Sequence, residues 1–241
     1  MGLNKFKLYD GQDPRNLPAY TLHEASRYTT VPFPTLRSWV SGRTYETDSG
    51  SKFSKPIIVR PDNSNSLLSF INLIEVHVLS AIRRKHEVPM PKVRKALNFI
   101  AQKFSSLNPL AENIFETDGI DLFIEKYGEL INVSRGGQIA MREILEVYLK
   151  RIERDETGLA RQLFPFTRRS SDGQQDDPKI VAINPRIAFG KPVIAGTGIP
   201  TAIIAERYKT GESISELADD YGRKFIEVEE AIRCEFELQA A

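Results

Sequence analysis

Gly190-Lys-Pro-Val-Ile-Ala-Gly-Thr-Gly-Ile-Pro-Thr-Ala-Ile-Ile204 is the stretch from which the rest of the chain can be ordered. Pro192 and Val193-Ile194 favour a short extended piece, Gly196 and Gly198 supply positions where φ can be positive, and Pro200 drives the residue before it out of the α region. A tight, shaped loop is expected. Beyond it, Thr201 is placed to cap a helix over 202–208 that stops at Gly211, and Ser213 with Glu216 three residues later forms a capping box for a second helix. A third helix covers 225–236, with Phe225, Val228, Ile232 and Phe236 on one face. This succession has the rhythm of a helix-turn-helix. Two readings stay open: a compact three-helix packing unit, or a unit that touches DNA.

Gly190, Lys191, Pro192, Val193, Ile194, Gly196, Thr197, Ile199 and Pro200, together with the Gly211-Glu-Ser-Ile-Ser-Glu-Leu217 run, give a resemblance. Residues 180–236 resemble a small domain of unknown function with a GKPVI-x-GTRIP-type signature, found in antitoxins encoded beside PIN-like ribonuclease toxins. That family usually has Arg where this chain has Gly198. As a whole the chain is similar to VapB-type antitoxins of the larger kind found in mycobacterial and other actinobacterial VapBC pairs. The resemblance implies a type II antitoxin that neutralises a PIN-like ribonuclease toxin by direct binding and represses its own operon. Antitoxins of this sort often insert an Arg or a C-terminal helix into the toxin, so Arg168, Arg169 and Arg223 and the end from 225 to 241 are the candidates for that contact. The alternative is a free-standing transcription regulator whose middle region senses a small molecule.

The chain's 241 residues, 41% of them hydrophobic, suffice for two or three small cores. No 18-residue apolar window exists and the first residues lack the apolar stretch of a secretory signal, so a cytoplasmic protein with no membrane partner is expected. The lone Cys234 sits among Ile232, Phe236 and Leu238 and reads as a small buried residue. His23, His77 and His86 are scattered, so neither a metal nor another cofactor is expected. No carboxylate pair, triad or phosphate loop recurs with usable spacing, which argues against an enzyme. Net charge is +1, but residues 1–104 hold 16 Lys and Arg against 8 Asp and Glu, while the remainder holds 17 against 24. A basic half suits duplex DNA, and an acidic half suits a different partner.

The basic half has its own pattern. Thr21 and Glu24 make a capping box for a helix carrying Leu22, Ala25 and Tyr28 on one face. Residues 29–32 form a turn, and Pro34 starts a second helix over 34–40 with Leu36 and Val40 or Trp39 turned inward and Gly42 ending it. Thr35, Arg37 and Ser38 then project outward, Arg being the side chain fitted for bidentate contact with guanine or phosphate. Strand-like runs at 53–60 and 67–70, joined by the turn-rich 61–66, read as a wing decorated by Lys52, Lys55 and Arg60. A helix over 70–85 carries Ile71, Ile74, Val78 and Ile82, and another covers 91–104. Residues 18–104 in this order resemble the DNA-binding domain of MerR-type regulators, although the turn has Pro where that family commonly has Gly-Val-Ser. The resemblance implies that Arg37 reads or clamps, that Thr35, Ser38, Arg43, Lys52, Lys55 and Arg60 hold operator phosphates, and that the chain is a homodimer.

Between the halves, short β runs are expected at 113–116, 122–125 and 130–133. An amphipathic helix at 138–152 should set Ile144, Val147, Tyr148 and Ile152 on one side, and a strand follows at 160–166. Ser134-Arg-Gly-Gly137 is too short for a phosphate loop, and 167–178 is polar enough for a linker. The expected fold is mainly α with small β elements. It comprises an N-terminal winged helix-turn-helix (1–106), a small α+β middle region (107–166), the linker (167–178) and a C-terminal three-helix, helix-turn-helix-like domain (179–241).

Overall fold

The computed structural model describes residues 9, 11–48, 50–62, 64–84, 90–131, 134–168 and 177–236. Helices dominate, with three small antiparallel strand pairs. Helix α1 (Leu22–Thr29) is opened by the expected box: Glu24 N donates to Thr21 Oγ1 (3.2 Å) and Thr21 N donates to Glu24 Oε2 (2.9 Å). Thr30 closes it in the left-handed region, and α2 (Phe33–Ser41) follows with Leu36, Trp39 and Val40 buried. Gly42, at φ 74°, ends α2, and a Cβ there would collide with the Ser54 carbonyl and the Phe53 ring. The absent side chain lets a hairpin pack directly on the helix end.

That hairpin corrects the expected wing. Its strands are β1 (Arg43–Thr47) and β2 (Gly50–Ser54), not 53–60 and 67–70. Neither strand has a buried face, so no apolar alternation marks them. The apolar run at 56–59 is pinned rather than paired: Ile57 N and Ile58 N both donate to Trp39 O (2.7 and 3.1 Å), and Ile58 is buried. Pro56 has no N–H with which to extend the ladder. Leu68 makes a two-way backbone bridge with Tyr20 (2.7 and 2.9 Å) instead of a strand.

Helix α3 (Phe70–Arg84) is buried on every side from Asn72 to Leu79, beyond the single stripe expected of it. Helix α4 (Met90–Phe104) follows, with Val93, Ala96, Leu97 and Ile100 inward. Residues 85–89, including His86, lie outside the described residues, as does the start of the expected 88–91 link.

In the middle region the three expected β runs are replaced by helix: a five-residue π-helical stretch (Phe115–Gly119) leads into α5 (Ile120–Ile131). Ile120, Phe123, Ile124 and Tyr127 are all buried at i, i+3, i+4 and i+7, a helical period that four-residue windows break apart. Residues 132–133 of the last run lie outside the described residues. Ser134 is the N-cap of α6 (Arg135–Leu149), accepting from Gly137 N at 3.2 Å. Its buried face is Met141, Leu145, Tyr148 and Leu149, while Ile144 and Val147 are half-buried and Ile152 belongs to the next strand. Because α6 packs on both α3 and α5, its inward face is wide and rotated from the expected one. Strands β3 (Ile152–Arg154) and β4 (Ala160–Leu163) then pair, β4 covering the first part of the expected 160–166 strand.

One apolar cluster runs from Tyr20 to Ile183 and crosses residue 106 without a break. Leu163 and Ile183 exchange backbone hydrogen bonds (3.0 and 2.8 Å), which carries the chain into β5 (Val181–Ala182) and β6 (Val193–Ile194). Helices α7 (Thr201–Lys209), α8 (Ile214–Tyr221) and α9 (Phe225–Phe236) close a second cluster of Ile194, Ile204, Leu217, Val228, Ala231 and Ile232. The Ser213–Glu216 capping box is present. Thr201, however, is no cap: it is buried inside the first turn and donates its hydroxyl to Glu235 Oε1 (2.6 Å), leaving Pro200 in the cap position. Cys234 is buried, as expected. Of the linker, 169–176 lie outside the described residues. Arg151 ties the chain before the linker to the chain after it: its guanidinium donates to Phe164 O (2.6 Å), Pro165 O (3.0 Å) and Asp177 O (2.8 Å).

Glu75 gives the core a pH dependence. Its Oε2 accepts from Asn72 Nδ2 and Asn108 Nδ2, both at 3.0 Å, yet burial outweighs those bonds and pushes the carboxyl up to about 7. Between the ordinary 4.5 and about 7, the folded protein holds a proton that the unfolded chain has released. Its stabilising contribution is therefore complete below 4.5 and lost as pH rises through about 7. Urea titrations of the wild type should show a loss on the order of 2 kcal/mol from pH 5 to 7.5, absent in Glu75→Gln; equal slopes for the two proteins would refute it.

Candidate nucleic-acid interface

The hairpin follows α2 directly, with Gly42 alone between them and the Phe53 ring and Ser54 carbonyl against that glycine. On α2, Arg37 is exposed, while Thr35 and Ser38 are half-buried, the Ser38 hydroxyl donating to Thr35 O (2.7 Å). In the hairpin, Arg43 stands opposite Ser54 and Tyr45 opposite Lys52. Alternation therefore places Arg43, Tyr45 and Lys52 together on one face, and Thr44, Glu46, Ser51 and Phe53 on the other. The first face carries two cations and a phenol, and the second carries the acid. Lys55 is exposed just past β2. Arg60 stands apart: it is half-buried, and its Nη1 donates to Asn65 O (2.8 Å), so it braces its own loop. Tyr45 is absent from the sequence-derived set. Its one signal is its place two residues after Arg43, legible only once the strand register is known.

His23 is exposed and stacks on Phe33 (centroids 4.3 Å apart), joining the starts of α1 and α2. His77 is a core residue whose Nε2 lies 3.0 Å from Tyr148 O. Among the described residues no cluster of His, Cys, Asp or Glu could hold a metal ion, and no helix is long and apolar enough to cross a membrane.

The candidates for a protein contact are less free than their sequence suggests. Arg168 donates Nε to Glu230 Oε1 (2.7 Å) and also reaches that carboxylate through Nη2. The Glu230 side chain is fully buried and accepts from the Thr167 hydroxyl as well. The same bonds raise the basicity of Arg168. Arg223 pairs with Glu227 one turn on. Arg169 and residues 237–241 lie outside the described residues. Unforeseen from sequence is the turn at 188–190: Ala188 (φ 46°), Phe189 (φ 53°) and Gly190 (φ 77°) are consecutively left-handed, and Phe189 is 71% exposed. Left-handed backbone costs non-glycine residues roughly 1–2 kcal/mol each, and such strain gathers at functional surfaces. Ile203, Phe225 and Ile226 are further exposed apolar side chains of this end.

This C-terminal part is fastened to α1. Lys191 pairs with Glu24, Arg27 Nη2 lies 3.0 Å from Glu235 Oε2, and Gly190 is so close to the Tyr20 hydroxyl that no Cβ fits.

The family model described as "Putative DNA-binding HTH domain" matches residues 18–97, from just before α1 into α4. That described as "Protein of unknown function (DUF433)" matches 181–233, from β5 into α9. The protein named "Putative antitoxin VapB45" of Mycobacterium tuberculosis is 34% identical over 227 residues, covering 86% of this chain and 89% of the relative. "Uncharacterized protein Rv2308" of the same organism is 27% identical, covering 88% of each. The X-ray crystal structure of Rv2018, also from Mycobacterium tuberculosis, superposes with a TM-score of 0.63 at 26% identity, covering 90% of this chain and 98% of that one.

Arg168→Ala should expose the cost of the Glu230 site. It leaves a buried carboxylate with the Thr167 hydroxyl and Arg233 Nε at 3.6 Å as remaining partners. A loss of about 2–4 kcal/mol in denaturant titration is expected, largely recovered in Arg168→Ala/Glu230→Gln; a silent Arg168→Ala would show the pair to be dispensable.

Proposed function

We propose, from the premise that this chain belongs to the family of the Mycobacterium tuberculosis protein named "Putative antitoxin VapB45", that it is a type II antitoxin and autorepressor. The observation that carries the DNA-binding half of this reading is the succession of exposed cations from Arg37 on α2 to Arg43 and Lys52, which share one face of the hairpin that follows directly. Helix α2 enters the major groove with Arg37 placed for a base edge or phosphate, and Thr35 and Ser38 approach the backbone beside it. Arg43, Lys52 and Lys55 hold flanking phosphates, and Tyr45 adds a hydroxyl donor between them. Arg60, engaged with Asn65, supports the loop more than it contacts DNA. Two copies on a palindromic operator supply two such surfaces, so the active species is a homodimer.

The partner of the acidic half is a PIN-like ribonuclease toxin. The supporting observation is the exposed apolar set Phe189, Ile203, Phe225 and Ile226, which an interface can desolvate at little polar cost. Arg168 and Arg223 reach such a partner only by giving up Glu230 and Glu227. A cleft of about 330 Å³ lined by Asn16, Val59, Arg60, Asn72 and Leu107 is the place for an effector if the chain is instead a free-standing regulator.

Co-purification of this chain with the product of the gene adjacent to its own, followed by gel shifts on the DNA upstream of the pair, tests both halves. A stable complex is expected, with a shift that Arg37→Ala weakens by about 1–3 kcal/mol while leaving the complex intact. A shift with no protein partner, altered by small metabolites, favours the free-standing regulator. No shift on that DNA removes the repressor role.

A further inference from the structure

The hairpin has a second attachment besides Gly42. Arg94, on α4, reaches the end of β2, where Nη1 donates to Pro56 O (2.7 Å) and Nη2 to Ser54 Oγ (3.2 Å) and to Lys55 O. Those acceptors belong to three consecutive residues. A planar guanidinium serves them from two nitrogens set apart on a rigid fork, whereas an ammonium offers its donors from a single point. The support is firm, because Val93, Ala96, Leu97 and Ile100 bury the other side of α4 in the core.

What Arg94 grips is the base of the cationic face. Ser54 stands opposite Arg43 in the register, and Lys55 follows it. Immediately beyond, Ile57 and Ile58 hang from Trp39 O at the end of α2. The chain leaving the hairpin is thus held on one side by α2 and on the other by α4. A two-stranded hairpin with no buried face has little stiffness of its own, so its angle is set by these anchors.

We propose that Arg94 is a positioning residue for DNA binding: it fixes the angle of the hairpin so that Arg43, Tyr45 and Lys52 meet the backbone while α2 lies in the groove. This rests on the DNA-binding reading above. Arg94 itself touches no DNA; its fork is turned to the hairpin's backbone.

The test uses the full-length protein and a fluorescein-labelled duplex of the DNA upstream of its gene, titrated at several salt concentrations, with hydroxyl-radical footprints alongside. Arg94→Ala is expected to bind roughly tenfold more weakly, with a salt dependence shallower by about two phosphate contacts. Protection should vanish at the flanks of the site and persist at its centre. Added to Arg43→Ala/Lys52→Ala, the substitution should cost almost nothing more, because the contacts it positions are already gone. A fully additive loss, or a wild-type salt slope and footprint in Arg94→Ala, overturns the proposal. Arg94→Lys keeps the stem and charge, should share the shallower slope, and replaces Arg94→Ala if that protein melts early. Wild-type protein that binds no duplex at all overturns the DNA-binding reading and the proposal with it.

Discussion

Helix α3 is enclosed by protein along two full turns, and that enclosure dictates where its neighbours go. Within it lie Asn72, Glu75 and His77, polar groups almost wholly withdrawn from water. A buried polar group without a partner costs about 1–3 kcal/mol, and beyond the bond between Asn72 and Glu75 each of the three also meets a group outside the helix. Asn72 donates to Val59 O (2.9 Å), which holds the segment leaving the hairpin. Glu75 takes the amide of Asn108 and so fixes the connection after α4, while His77 meets Tyr148 O and fixes α6. Three surrounding pieces are placed by the polar atoms of a single helix, while its apolar atoms supply the bulk of the burial.

Local rules carried the sequence reading where the structure is local. The Thr21–Glu24 and Ser213–Glu216 boxes appear as expected because cap, partner and helix lie within four residues. The hairpin was invisible to periodicity because Arg43, Tyr45, Lys52 and Phe53 are all exposed, while the apolar 56–59 run, which looks like a strand, is spent on Trp39 O. Helix α5 is hidden from short windows because its apolar residues include the runs 122–124 and 130–131, which mimic short strands. At the candidate interface, Arg37 was legible from helix phase alone, whereas Tyr45 needed a register and Arg94 needed a contact across about 40 residues. The pairing of Arg168 with Glu230, 62 residues apart, was beyond reach for the same reason.

The two ends of the chain use their cations differently. On α2 and the hairpin, Arg37, Arg43, Lys52 and Lys55 are exposed. Around α7–α9, Arg207 is held by Glu212 and Asp220, Arg223 by Glu227 and Arg233 by Glu229. Guanidinium groups already paired with carboxylates release few counterions on meeting a phosphate chain, so these three arginines differ from the exposed cations of the N-terminal surface in what they can offer an anion.

The contact between Gly190 and the Tyr20 hydroxyl has a bearing on recombination as well as on packing. Two positions 170 apart in sequence share one small volume, and the left-handed backbone at 190 strains any side chain there whatever the space, so glycine at 190 is what lets a tyrosine stand at 20. A chimera whose C-terminal part brought a larger residue to 190 would press on Tyr20 of the remainder and strain its own backbone at once.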